Sequence, residues 1–368
     1  MHRRLVEILL LLFLVLIGLN WPALPFNSSL ADLIFIPLAI SVVTLARTRW
    51  SWRWFDTAVA AYLLGALPSL ANVEDASPGV LELIREGYLV ALYVVMALAV
   101  REGFARTIGK GLALGGSLLA IAGLVVIVIG WWGTPPWPPM GEVMALPYVG
   151  EVLRLRAMTA SEAMLACVLT AAAPFAITLC ASGRARPWCA ASIATIAAAG
   201  LTFSHAIAGF AVAALIAAWP SFATLPRLRR VAVAGVVLIC LVLNFAATIS
   251  IKSVSFGGSI YADASAFYHA VDQGETRVGG ATVTYTVMSY ARIKQVAWDA
   301  FTLSPISGIG LDNFHWATQR AYSEGRLPHL YSEIDPHSTL LGRLAETGLI
   351  GAVTLLLLWA AWTVMARD

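Results

Sequence analysis

Apolar runs long enough to cross a bilayer recur from one end of this chain to the other. No other feature restricts the fold as much. In hydrocarbon every backbone polar group must be satisfied within the protein, which leaves helices and closed barrels. The runs are continuous rather than alternating, so helices are expected. Composition agrees: 59% of residues are hydrophobic and only 12% are charged, with mean hydropathy +0.79. A soluble domain carries about twice that charged share. The pattern predicts an all-α, polytopic bundle of about ten spans, at roughly 5–19, 30–46, 57–72, 80–99, 111–131, 158–181, 187–203, 205–219, 231–250 and 345–365. The pair on either side of Ser204 can also be read as one long helix. The chain divides into spans over 1–131, an outer Trp/Pro-rich loop at 132–157, further spans over 158–250, a long outer segment at 251–344 and a last span at 345–368. Long connections of this kind are usually functional.

Arginines and lysines fall at every second connection: Arg3 and Arg4; Arg47, Arg49 and Arg53; Arg101, Arg106 and Lys110; Arg184 and Arg186; Arg227, Arg229 and Arg230; Arg367. The positive-inside rule puts these, with both termini, in the cytoplasm. The alternate connections, including NWPALPFNSS and NVEDASPG, then face outward. The opening MHRR and its apolar run read as a retained signal anchor, because no small-x-small cleavage site follows. Cys167, Cys180, Cys189 and Cys240 fall within spans or at their cytoplasmic ends, so no disulfide and no zinc spacing is expected.

Arg154 and Arg156 in LRLRAMTASEAML break the charge rule, sitting outside the sixth span. They either snorkel to headgroups or capture an anion, since guanidinium binds phosphate through two parallel hydrogen bonds. Glu162 is placed to orient or pair with Arg156. In YARIKQVAWDAFTLSPISGIGLDNF (290–314), Ile293, Val296, Ala297, Ala300 and Phe301 recur at helical spacing opposite Arg292, Gln295 and Asp299. This predicts an amphipathic helix along the outer membrane surface, ended by Ser304-Pro305. The glycines of SGIG then allow a tight turn and close backbone approach. Arg292 is as readily a solvated arginine as a ligand-binding one.

In IDPHSTLLGRLAETGLIG (334–351), Asp335 suits an N-cap and Pro336 the first helical position, which puts His337 in the first turn. There the helix dipole favours neutral imidazole, which can accept a proton. The plainer alternative is an interfacial histidine that only ends the loop. Arg343 and Glu346, three apart, are expected to pair. His205 lies at the outer turn in LTFSHAIAGF, where a packing or capping role is the default. Only Asp32 looks intramembrane.

Taken together, Arg292 in YARIKQVAWDAF, then SPISGIGLDNF, then PHSTLLGRLAETGLIG resemble the signature of the O-antigen ligase and O-antigen polymerase superfamily of bacterial envelope proteins. That signature is an Arg before a helix, Pro-x-x-Gly-x-Gly, and a Pro-His start to a Leu-, Glu- and Gly-bearing helix. The match is best over 290–352 and reaches back weakly to about 150 through LRLRAMTASEAML and LTFSHAIAG. The resemblance implies a glycosyltransferase of the cytoplasmic (inner) membrane, acting on its periplasmic side. The donor would be a glycan on undecaprenyl pyrophosphate. The acceptor would be a hydroxyl on a glycan, on lipid A-core or on a protein. Carried over by position, pyrophosphate binding falls to Arg156, Arg154 and Arg292, with His205 beside them. Acceptor activation falls to His337, with Arg292 counted in the catalytic pair. Such chemistry needs a base near the acceptor and positive charge where pyrophosphate departs. No cofactor, metal or nucleic-acid partner is expected, and no carboxylate cluster suits a cation.

Two departures stand out. Ser204-His205 replaces the family's usual Ser-Arg, removing a fixed positive charge, and the chain stops soon after the span that follows His337. Two other classes stay open: a transporter of a small anion or lipid-linked solute, and an inactive scaffold of an envelope glycan assembly. Transporters favour broken helices with polar groups near the midplane.

Overall fold

The computed structural model describes residues 2–20, 29–46, 52–131, 141–146, 150–159, 161–182, 186–202, 221–257, 277–278, 281–282, 287–327, 336 and 338–365. Within them the fold is overwhelmingly helical: α1 (His2–Leu16), α2 (Leu30–Leu45), α3 (Trp54–Leu64) with a 3₁₀ turn at Leu67–Ala71, α4 (Ala76–Ala99), α5 (Ala105–Trp131), α6 (Glu162–Ala181), α7 (Arg186–Gly200), α8 (Arg227–Gly257), α9 (Val287–Leu303), α10 (Phe314–Ser323) and α11 (Thr339–Met365). Two small hairpins are added, β1 (Gly141–Leu146) with β2 (Gly150–Leu155), and β3 (Arg277–Val278) with β4 (Ala281–Thr282). The expected span at 205–219 lies outside the described residues.

Among the described residues, four stretches are long and apolar enough to cross a membrane: Trp54–Ala71, Ala76–Ile129, Glu162–Ala181 and Thr339–Met365. Leu30–Leu45 and Pro187–Gly200 are shorter apolar helices. The second stretch has 54 residues. At 1.5 Å per residue that is about 81 Å, far more than a hydrocarbon core of about 30 Å. A π-helical turn at Val100–Phe104, with Gly103 at φ 87°, divides it into α4 and α5. Exposed side chains point the same way. On α2, Leu33, Ile36, Ile40 and Val43 form an uncovered apolar stripe, and on α11 Val353, Leu356, Leu357 and Trp359 are open. Apolar surface on that scale belongs against lipid. The chain is a membrane protein.

The chain forms two compact units. The first comprises Met1–Thr48 and Val95–Ile251. Here α1 packs on α2, with the Phe13 and Phe35 rings 5.9 Å apart and Val6, Leu10 and Leu38 buried. Close packing of α5 on α1 depends on Gly115, where an added Cβ would stand 2.6 Å from the Leu14 carbonyl oxygen. With Gly111 it makes a small-xxx-small surface of the kind that lets membrane helices approach. A core of Leu119, Ala120, Leu155, Leu165, Ala166, Leu169 and Ala198 joins α5, β2, α6 and α7.

The second unit comprises Arg49–Val94 and Lys252–Asp368. Its centre is formed where α9, α10 and α11 meet, through Ile293, Val296, Ala297, Ala300, Phe314, Ala321, Leu327 and Ala345. Of the predicted stripe of α9, Ile293, Val296, Ala297 and Ala300 are therefore buried, but against protein, while Phe301 is half-buried. The helix does not lay that face on the membrane. Trp298 and Leu303, outside the stripe, are exposed, as is Ile306 in the loop that follows.

Candidate functional site

The SPISGIG segment does more than turn. α11 is interrupted at Gly348, whose φ of 63° and ψ of −160° lie in a region open only to glycine. A break in a spanning helix orphans backbone groups that lipid cannot satisfy. The loop after α9 satisfies them: Ile309 N donates to Ala345 O at 2.9 Å, Gly310 N to Glu346 O at 3.0 Å, Leu349 N to Pro305 O at 2.8 Å and Ile350 N to Ile306 O at 3.2 Å. Side chains on the glycines would block this contact. A Cβ on Gly308 would overlap the Glu346 carbonyl, and one on Gly348 would overlap that of Ile306.

The NVEDASPG connection completes the knot. Asn72 Nδ2 lies within donating distance of Ser307 Oγ (2.7 Å), Gly308 O (3.0 Å) and Ser304 Oγ (3.1 Å). Asn313, 1% exposed, donates to Asp75 O at 3.2 Å and to Leu311 O at 2.8 Å. These two segments, both expected to face outward, share one end of the second unit.

Arg343 does not pair with Glu346. It pairs with Glu86 of α4 at 2.6 Å, the two side chains 8% and 7% exposed, and lies 4.4 Å over the Tyr62 ring. Tyr62 in turn donates to Glu86 Oε1 at 3.1 Å. Glu346 instead turns back to accept from Phe314 N at 3.4 Å. Spacing along one helix suggested the wrong partner because a nearer cation-acceptor came from another helix. Asp32, the one residue expected within the membrane, is a cap: its carboxylate accepts from the Ser29 N–H at 2.6 Å and the Ser29 hydroxyl at 2.8 Å.

Arg292 sits half-buried on α9, one residue before the core position Ile293, and donates through Nη1 to Arg326 O at 3.3 Å. Around it Arg326 bridges Asp299 (2.9 Å) and Glu324 (2.7 Å), and Arg320 meets Glu324 at 3.0 Å. The Arg326 and Arg320 guanidiniums hold the exposed Glu324 carboxyl below its ordinary range. His337 lies outside the described residues, as does Asp335, but its neighbours revise the helix start. α11 begins at Thr339, and Ser338 Oγ accepts from Leu341 N at 3.4 Å while Ser338 O accepts from Gly342 N at 2.8 Å. Ser338 is thus the N-cap and His337 precedes it, so the dipole argument for a first-turn histidine does not apply.

The remaining candidates belong to the first unit. The loop at 132–157 contains the β1–β2 hairpin, in which Arg154 stands opposite Glu142 in register. Arg156 follows directly and closes a tight turn: its Nε donates to Thr159 O at 3.1 Å, and Thr159 N and Oγ1 both donate back to Arg156 O. The two residues between, Ala157 and Met158, have φ of 47° and 64°. Consecutive non-glycine residues in that region cost about 1–3 kcal/mol each and persist where the surroundings impose them. Here Asn20 N donates to Met158 O at 2.9 Å, and Ala157 is fully buried. His205 lies outside the described residues.

The expected absence of a disulfide is overturned. Cys180 and Cys189 are bonded, their Cα atoms 4.8 Å apart. The helical hairpin of α6 and α7 turns within a few residues and brings both to one end, a nearness that span boundaries do not reveal. Sequence reasoning also missed Glu86, Tyr62, Asn72 and Asn313. Glu86 carried a usable signal, since a carboxylate within an apolar run marks a site unless it is paired. No protein-family model matches the chain, and no characterised protein matches it in sequence.

Proposed function

We propose that this protein is an envelope glycosyltransferase that moves a glycan from an undecaprenyl-pyrophosphate donor to an acceptor hydroxyl on the outer side of the bacterial cytoplasmic membrane. The carrying observation is the way the three signature elements combine. α9 with Arg292, the SPISGIG loop and the start of α11 pack as one cluster and share backbone hydrogen bonds. The motif glycines Gly308 and Gly348 are required by mutual contact, which supports reading the motif as a built arrangement. In this reading about ten spans cross the membrane and both termini are cytoplasmic, and the resemblance assigns pyrophosphate contacts, residue by residue along the sequence, to Arg292, to Arg156 and Arg154, and to His205. His337 takes the acceptor's proton. Deleting the gene should cause a lipid-linked glycan to accumulate. Its absence from the deletion strain would overturn the reading.

A second reading draws support from α11. A spanning helix broken at Gly348, beside a buried Arg343–Glu86 pair, is the kind of element transporters use. It predicts solute flux without release of free undecaprenyl pyrophosphate, and that release by the purified protein distinguishes the two.

A further inference from the structure

Three helices of the second unit bring charge to a place where apolar groups would pack at lower cost. Arg343 on α11 and Glu86 on α4 are both more than nine-tenths buried, and Tyr62 on α3 braces the pair through its hydroxyl and its ring. Among the described residues, Glu86 Oε2 and Arg343 Nε have no hydrogen-bond partner. Withdrawing two ions from water costs several kcal/mol per ion, and their attraction offsets this only when every remaining polar atom is satisfied. Apolar residues of the same volume would hold these helices at least as firmly. An ion pair adds direction instead, because it is satisfied at one rotation and one register of the helices that carry it.

Direction matters here because of the break. Thr339–Thr347 is cut off at Gly348 from the rest of α11, so the long arm does not carry it rigidly. The motif loop fixes its far end through Ala345 O and Glu346 O. Arg343 is the charged anchor midway, one turn after the Ser338 cap. We propose that Glu86 and Arg343 are positioning residues for the transfer reaction. They set the rotation of the short helix and so the point at which the chain enters it at Ser338, directly after His337. This rests on the glycosyltransferase reading for its activity readout but not for its structural one.

The test is the double variant Glu86→Leu/Arg343→Met, which replaces the pair by apolar groups. It should insert normally and unfold at or above the wild-type midpoint. With an undecaprenyl-pyrophosphate-linked glycan as donor, kcat should fall by about a hundredfold, the scale of a displaced reacting group, while the donor KM stays near wild type. Amides of 339–347 should exchange faster, and those of 349–365 should be unchanged. Wild-type kcat in the double variant overturns the proposal, whether or not exchange changes, and so does unaltered exchange with reduced kcat. If the wild-type protein transfers no glycan, the functional reading fails, and the exchange result alone still decides whether the pair sets the short helix. Should the double variant not insert, Glu86→Gln keeps the shape, removes one charge and carries both readouts.

Discussion

Gly348→Ala tests whether the interlocked loops hold the second unit together. The change places a methyl group on backbone at φ 63° and ψ −160°, against the Ile306 carbonyl. Three effects combine. A non-glycine residue in that conformation costs about 1–3 kcal/mol. Overpacking against an unyielding backbone adds about 1–3 kcal/mol. Displacing the loop weakens the bonds from Leu349 N to Pro305 O and from Ile350 N to Ile306 O, each worth about 0.5–1.5 kcal/mol net. Because relief of one strain lessens the others, the expected loss is about 3–6 kcal/mol, a large share of a typical 5–15 kcal/mol. Gly87→Ala is the control: it lies within α4 with open space around it and should be neutral or stabilising by up to about 1 kcal/mol. Denaturant titration of the purified proteins in one detergent compares them. A Gly348→Ala protein as stable as Gly87→Ala would refute the docking of the loop into the broken helix.

Arg292→Ala and Arg156→Ala should each abolish most glycan transfer in proteins that insert and fold, and lysine should rescue poorly because it lacks the two-pronged contact; near-normal transfer by the alanine variants reduces both residues to structural arginines. His337→Ala should lower kcat by roughly a hundredfold or more, the scale of losing general-base assistance, with donor binding retained; transfer at the wild-type rate removes the histidine from the mechanism. Glu324 carries a lowered pKa, so its contribution to stability is present above the ordinary carboxylate value of about 4.3 and is lost as pH falls through the lower folded one. The difference in unfolding midpoint between wild type and Glu324→Gln should therefore be present at neutral pH and vanish in acid, and a pH-independent difference would contradict the ion-pair origin. The proposed orientation puts Cys180 and Cys189 at the cytoplasmic end, where thiols are kept reduced. Alkylation in intact cells should label both, whereas protein purified without reductant should hold them bonded; a bonded pair in intact cells would invert the orientation.

The helices were legible because lipid demands continuous apolar runs, and the buried stripe Ile293, Val296, Ala297 and Ala300 was legible from helical spacing. What covers that stripe was not, since periodicity marks a face without naming its partner. The motif glycines read as a tight turn and a close approach, and both hold, but the approached surface is the backbone of α11, far along the chain. Arg343 was paired with Glu346 because neighbour rules within a helix cannot see Glu86. The sequence reading starts the last helix from Asp335, whereas hydrogen bonding at Ser338, three residues on, sets the start. Of the candidate site, Arg292 and Arg156 are placed on ordered backbone by α9 and by the turn after β2, while no sequence signal announced the strained pair Ala157 and Met158.

The most direct test of the glycosyltransferase reading is transfer by the purified protein in proteoliposomes, supplied with an undecaprenyl-pyrophosphate-linked glycan and a hydroxyl-bearing acceptor. One undecaprenyl pyrophosphate should be released for each glycan transferred, and Arg292→Ala protein should release almost none. Movement of the intact lipid-linked glycan across the bilayer, with no pyrophosphate released, would contradict the account and establish a transporter.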